Sequence, residues 1–225
     1  MITYTNIDCM IGMARYPDKY FDLAIVDPPY RDACDNQPTK DMRRNGCIEN
    51  FGNKPDEHYF HELFRVSRNQ IIWGANNFTL PNYKGFVIWK KITISDEFTM
   101  SMAELAYLSE GLATTSKVFE YAPQGTKYDK RISPTQKPVA LYKWLLTNYA
   151  KTGDKILDTH VGSASSLIAC HDMGFDAVGF ELDAYYYRMS KQRLDDFMRQ
   201  PRIDEADKII QEQIDLFDRP DYRKP

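Results

Sequence analysis

Short apolar runs of strand length alternate along this chain with stripes of helical period, and that alternation leaves few architectures open. Residues 23–26 (LAIV), 70–74 (QIIWG), 86–89 (FVIW), 104–108 (ELAYL), 154–158 (DKILD) and 177–180 (AVGF) are largely apolar, and a shorter β-prone segment occupies 2–4. Continuous runs of this kind suit strands covered on both faces. Between them, 56–66 (DEHYFHELFRV) places Tyr59, Phe60, Leu63, Phe64 and Val66 on a helical stripe. A second helix, 139–149 (VALYKWLLTNY), opens after Pro138, and two more are expected at 167–173 and 184–198. This order predicts an α/β fold, a mostly parallel sheet with helices on both faces. At 225 residues, one well-cored domain is expected, spanning 1–200.

Two internal segments depart from the alternation. Residues 31–54 are polar, carry Gly46 and Gly52, and run longer than a connection needs, which makes them a candidate recognition loop or lid. Residues 111–135 mix strand-like letters with polar turns and read as a small insertion. From 201 onward the chain becomes a polar tail.

Charge and cysteine content narrow the setting. The net charge of −3 does not mark the whole surface for nucleic acid, although Lys40, Arg43 and Arg44 form one basic cluster and Lys127, Lys130 and Arg131 another. Cys9, Cys34, Cys47 and Cys170 contain no CxxC pair, as expected of reduced thiols. Cys34, Cys47, His58 and His61 match no common zinc-finger spacing, so no metal is expected. No run approaches the ~18 apolar residues of a membrane span, and the first residues lack the layout of a signal peptide. A cytoplasmic protein away from membranes is the expectation.

Two strand ends carry the chemistry. In 156–166 (ILDTHVGSASS) a strand meets small residues and then a helix, where a ligand can approach backbone N–H groups. About 20 residues on, Glu181 and Asp183 close the next strand, a position from which a carboxylate can accept both hydroxyls of a ribose. The pair suggests a nucleoside-containing cofactor, and a plain strand-to-helix turn accounts for the same letters about equally well. The other end is Asp27-Pro28-Pro29-Tyr30, an acid, two residues without N–H donors and a flat ring after a buried run. Trp73-Gly74-Ala75-Asn76-Asn77 follows a third strand end and is either part of the same crevice or a core Trp with an Asn turn.

DPPY at a strand end resembles the signature of methyltransferases that act on exocyclic amino nitrogens. The chain resembles a DNA adenine-N6 methyltransferase of the permuted beta group, in which the DPPY half precedes the S-adenosylmethionine-binding half. Asn6-Ile7-Asp8, Thr135-Gln136-Lys137-Pro138, Leu157-Asp158-Thr159-His160-Val161-Gly162-Ser163 and Phe180-Glu181-Leu182-Asp183 resemble further family elements in the family's order, over roughly residues 2–195. The family's cofactor loop usually reads D-P-F-x-G-S-G, where this chain has Thr159, His160 and Ala164 at the second, third and seventh places.

The resemblance implies a single-domain Rossmann-like methyltransferase fold with circularly permuted motif order. It implies S-adenosylmethionine as cofactor and DNA as substrate and partner. Asp27, Pro28, Pro29 and Tyr30 would be catalytic, and Asp27 would also border the cofactor. Glu181 would hold the ribose, Asp8 the cofactor adenine and Lys137 the methionine carboxylate, with Asp158, His160, Gly162 and Ser163 lining the methionine side. Asp8 as a helix cap and Lys137 as a solvated loop residue are the plainer readings. Alternatives for the whole chain are a non-catalytic DNA-binding module on the same fold, or methylation of an RNA base, cytosine N4 or a protein glutamine. Asp27 favours adenine, because cytosine-N4 enzymes of the permuted group more often carry Ser there and glutamine enzymes Asn.

In the tail, Gln213-Ile214-Asp215-Leu216-Phe217 resembles the pentapeptide by which bacterial proteins bind the replication sliding clamp, with Ile for the usual Leu. Gln213, Ile214, Leu216 and Phe217 would be the anchors, and packing of an amphipathic helix on the sheet is the competing reading. A homodimer is left open.

Overall fold

A computed structural model describes residues 1–30, 54–97, 100–112, 114–123, 131–133 and 135–200. In chain order the elements are β1 (Ile2–Asn6), α1 (Cys9–Met13), β2 (Phe21–Val26), α2 (Glu57–Val66), β3 (Ser67–Trp73), β4 (Phe86–Lys90) and β5 (Ala103–Leu108). They continue with β6 (Lys117–Glu120), α3 (Val139–Tyr149), β7 (Lys155–Asp158), α4 (Ser165–Asp172), β8 (Asp176–Glu181) and α5 (Ala184–Met198).

The strands form one sheet in the order β1-β8-β7-β2-β3-β5-β4-β6. Every neighbouring pair is parallel except β3/β5 and β5/β4, so β5 alone runs against the rest. Its reversal follows from its connection. β4 reaches β5 through residues 91–102, with no helix among the described ones, and antiparallel strands accept such a link where parallel ones need a crossover.

The continuous apolar runs are buried on both faces. Leu23 and Ile25 of β2, Ile71 and Trp73 of β3 and Ile156 of β7 pack with Leu141 and Leu145 of α3, Leu167 and Ile168 of α4 and Leu194 of α5. On the other face, Ala24, Val26, Ile72 and Leu157 meet Met13 of α1 and Tyr59, Phe60, Leu63 and Val66 of α2. The expected stripe on 56–66 therefore buries as predicted, except that Phe64 is only partly covered. Asp56 caps α2, its side chain accepting from the Tyr59 N–H at 3.2 Å.

Each expected strand is present, and the architecture is the expected Rossmann-like one. Two elements go beyond the sequence reading. The short helix α1 has only five residues, too few for a periodic signal, and starts because Asp8 caps it by accepting from the Met10 N–H at 2.8 Å. β6 supplies the strand within the mixed segment 111–135 and pairs with β4.

The connectivity sets the place of the site. From β7 the chain proceeds through α4 to β8 on one side, and from β2 through α2 to β3 on the other. The sheet order thus reverses between the adjacent strands β7 and β2, and ligands of open α/β sheets bind beyond the carboxyl ends at such a point.

Candidate active site

Asp27 and Asp158 stand at the carboxyl ends of β2 and β7, on either side of that switch point. β2 is buried along its length up to Val26, and the chain leaves it through buried Pro28 and half-buried Pro29. Locked φ at both prolines fixes the exit. The Tyr30 hydroxyl turns back and donates to Asp27 Oδ1 at 2.5 Å. Lys137 Nζ donates to Asp27 Oδ2 and also lies 3.2 Å from Tyr30 Oη. The ring of Tyr30 rests on Gly74, just past β3, where the positive φ of 69° and the missing side chain make room for it. Phe78 meets the same ring edge-on at 6.2 Å. Gly74 therefore borders the DPPY segment, while Trp73 is fully buried in the core and Asn77 Nδ2 donates to the Gly74 carbonyl at 3.0 Å, the Asn turn of the other reading.

Sequence reasoning missed two charged residues behind this group. Glu104, at the start of β5, lies 2.9 Å from Lys137 Nζ through Oε2, an ion pair rather than a well-angled hydrogen bond. Its other oxygen lies 2.6 Å from Lys91 Nζ. An acid opening an otherwise apolar strand was the available signal. Burial opposes charge on Glu104, yet Lys137 and Lys91 overcome it and hold the carboxyl down at about 2. Burial likewise lowers the affinity of Lys137 for its proton, and Asp27 and Glu104 more than restore it, so the ammonium stays charged. Burial, then the charges of Asp27 and Glu104, raises Tyr30, which keeps its proton as a donor.

The second half is built on β7 and β8. Asp158 is buried and accepts from Ser166 Oγ and from the His160 N–H at 3.0 Å. Burial pushes its carboxyl up to about 7. His160 Nδ1 lies 2.9 Å from Thr159 Oγ1, which also meets the buried Tyr59 hydroxyl at 2.6 Å. Burial lowers His160 to about 4 against the pull of Asp8, leaving a neutral ring at pH 7. Gly162 and Ala164 both take positive φ, 53° and 63°. Arg193 of α5, another residue absent from the sequence reading, donates to the Ser163 carbonyl and pins the loop from behind.

Glu181 receives two backbone donors, the Gly162 N–H at 2.8 Å and the Asp183 N–H at 2.9 Å. Burial still raises its carboxyl. Asp8 lies beyond β1, the neighbour of β8, and works as the cap of α1. A side chain built on Gly162 would meet nothing nearer than a carbonyl oxygen 3.9 Å away, so backbone is approachable there. Small residues, oriented carboxylates and the exposed Leu182 make a cradle suited to a polar ligand with vicinal hydroxyls and a flat apolar part.

Other expectations fall outside the described residues. These are the recognition loop at 31–53 with Lys40, Arg43 and Arg44, the cations Lys127 and Lys130, Cys34 and Cys47, and the tail with Gln213, Ile214, Leu216 and Phe217. Among the described residues no cluster of His, Cys, Asp or Glu could hold a metal ion. No described helix is long and apolar enough to cross a membrane.

Residues 108–192 match the family model described as DNA methylase. The chain is 26% identical over 213 residues to the candidate methylase YubD of Escherichia coli (strain K12), covering 86% of this chain and 90% of that protein. Among solved structures, a candidate DNA modification methylase of Thermus thermophilus, TTHA0409, complexed with S-adenosyl-L-methionine, superposes with a TM-score of 0.56 at 15% identity. That match covers 88% of this chain and 95% of the other. The PvuII DNA methyltransferase, cytosine-N4-specific, gives a TM-score of 0.54 at 10% identity over 87% and 92% of the two chains. At these identities the structural likeness establishes the fold.

Proposed function

We propose that this chain is a DNA methyltransferase that uses S-adenosylmethionine and methylates the N6 amino group of adenine, with its catalytic half ahead of its cofactor half. The observation that carries the reading is that Asp27-Pro28-Pro29-Tyr30 follows β2 and the Asp158 loop follows β7, the two strands being neighbours across the switch point of the sheet. The family match at 108–192 covers the cofactor half and supports the same reading.

The residues present fit the cofactor. Glu181 would take the ribose hydroxyls and Asp8 the adenine end. Asp158, His160, Gly162 and Ser163 would line the methionine side, whereas Lys137, the expected cation for its carboxylate, is already paired with Asp27 and Glu104. A neutral His160 would offer the cofactor a flat ring without adding positive charge. When bound, the cofactor supplies an electrophilic methyl group on a sulfonium.

The chain's own part is to make a poor nucleophile competent. The lone pair of an adenine amino nitrogen is delocalised into the ring. Hydrogen bonds accepted from its two protons by the Asp27 carboxylate and the Pro28 carbonyl favour a pyramidal nitrogen. Tyr30, backed by Gly74, offers its outer face for the base to stack on. A paired adenine must leave the duplex to reach that place, at an unstacking cost of a few kcal/mol. Holding amine and methyl donor in line then supplies much of the acceleration.

A cytosine-N4 reading has support from the PvuII likeness, and the acid at Asp27 favours adenine over it. Methylation-sensitive sequencing of DNA from cells expressing the protein separates the two. N6-methyladenine in a defined motif, absent with Asp27→Ala, is the expected result; N4-methylcytosine would replace the substrate, and no methylated base would remove the reading.

A further inference from the structure

Both oxygens of Asp27 are engaged before any substrate arrives, Oδ1 by the Tyr30 hydroxyl and Oδ2 by Lys137 Nζ. An amino group that is to donate to this carboxylate must therefore compete with a buried ammonium. Lys137 is only 4% exposed, so it cannot relax into water, and a buried cation that loses its counter-charge is costly. Among the described residues one other anion is in reach, Glu104, 2.9 Å away on its Oε2 side.

The position of Glu104 is fixed by the sheet. It sits opposite Trp89 in the β4/β5 ladder, and the Lys91 N–H closes that ladder by donating to the Met102 carbonyl at 2.8 Å. The Lys91 ammonium, itself buried, lies 2.6 Å from the oxygen of Glu104 that faces away from Lys137. The rings of Trp73 and Tyr30, 5.4 and 5.7 Å from Lys137 Nζ, flank the cation with aromatic faces. Lys137 is thus a charge between two carboxylates, Asp27 at the strand end and Glu104 anchored by Lys91.

We infer that Glu104, anchored by Lys91, is a positioning residue that takes over the Lys137 ammonium when the target amino group claims Asp27. The inference rests on the methyltransferase reading of the site. Without substrate the ammonium keeps Asp27 paired and oriented. With substrate it moves toward Glu104, and Asp27 Oδ2 becomes an acceptor at no cost of an unpaired buried charge. The reversed strand β5 has a function in this arrangement, because its insertion between β3 and β4 brings Glu104 behind the catalytic end of β2.

The test compares wild type, Glu104→Gln and Glu104→Asp, with unmethylated bacterial genomic DNA and radiolabelled S-adenosylmethionine, alongside calorimetric cofactor binding. With Glu104→Gln the ammonium keeps Asp27 as its one carboxylate partner among the described residues and competes harder with the amine. We expect kcat to fall about tenfold or more while cofactor Kd moves less than about threefold, the signature of a loss after binding. Glu104→Asp, which keeps the charge, should recover most of the rate. Should Glu104→Gln not fold, the double variant Glu104→Gln with Lys91→Gln, which removes the alternative acceptor without leaving Lys91 as an unpaired buried cation, carries the same expectation. An unchanged kcat, an equal loss of cofactor affinity, or an Asp variant as impaired as Gln overturns the inference. Wild-type protein that methylates no DNA overturns the functional reading itself, and this inference with it.

Discussion

A Cβ atom on Gly74 would lie 2.1 Å from Cε1 of Tyr30. The end of β3 and the end of the DPPY segment are therefore in direct contact, and the contact admits no side chain. Gly74→Ala must push the Tyr30 ring away, breaking its hydrogen bond to Asp27 Oδ1, and must also hold Ala at a φ of 69°. The left-handed backbone alone costs about 1–2 kcal/mol. We expect a lower melting temperature and a larger proportional loss of kcat than of cofactor affinity, checked by thermal unfolding, initial rates and calorimetry. A variant with full activity would show that Tyr30 need not occupy this position.

The two halves of the site should respond to pH with opposite signs. Glu104 is depressed to about 2 in the folded protein, below its ordinary value of 4.5. Its stabilising contribution is therefore present above pH 4.5 and is lost as pH falls toward 2. Asp158 is raised from 3.8 to about 7, so its contribution is complete below about pH 4 and is lost as pH rises through 7. Asp158→Asn should flatten the decline between about pH 4 and 7, and Glu104→Gln should flatten the loss below 4.5. Urea unfolding at a series of pH values measures both. An unchanged slope in Asp158→Asn would show that Ser166 and the His160 N–H already hold the carboxylate ionised.

The pattern of apolar runs made the β-α order legible because the central strands β2, β3 and β7 carry continuous buried runs, and a doubly buried strand has no polar alternation to confuse with a loop. Asp27, Asp158 and Glu181 were legible for the related reason that each ends such a run with an acid. Glu104 and Lys91 were not, since their role depends on β5 entering between β3 and β4, a pairing between distant segments that local letters do not encode. Lys137 was expected on the cofactor side by resemblance alone, whereas its contact with Asp27 joins positions 110 residues apart and depends on the fold. Arg193 reaches the Ser163 carbonyl from α5, and on the sequence it is one more cation on an amphipathic helix.

Ala164 tests the departure of the cofactor loop from the family pattern. It precedes α4 with φ 63° and ψ 18°, and its methyl group is fully buried. Replacement by Gly relieves about 1–2 kcal/mol of left-handed strain. It also gives up roughly 0.8 kcal/mol of methyl burial and adds about 0.5–1 kcal/mol of chain entropy in the unfolded state. The terms nearly cancel, so Ala164→Gly should shift the denaturation midpoint little, with cofactor affinity held or improved. A strong destabilisation would show that the methyl group matters to the packing of α4 more than its backbone conformation costs.

Glu181 offers the most direct test of the cofactor half. Its carboxylate is oriented by the Gly162 N–H of the loop it would serve and by the Asp183 N–H at the start of α5. Charge-assisted hydrogen bonds contribute roughly 1.5–3 kcal/mol each. Glu181→Ala removes both backbone contacts and the acceptors for a ribose, and cofactor Kd should rise by about 10- to 100-fold or more. Glu181→Gln keeps the size and one acceptor oxygen, and should lie between wild type and Ala. Methylation rates at saturating cofactor should recover further in Gln than in Ala, because the loss then lies mainly in binding. Calorimetry with S-adenosylmethionine and S-adenosylhomocysteine separates the ribose contribution, common to both ligands, from any effect of the sulfonium charge. If the two ligands lost affinity unequally, Glu181 would be acting through its charge on the methionine side rather than by holding hydroxyls.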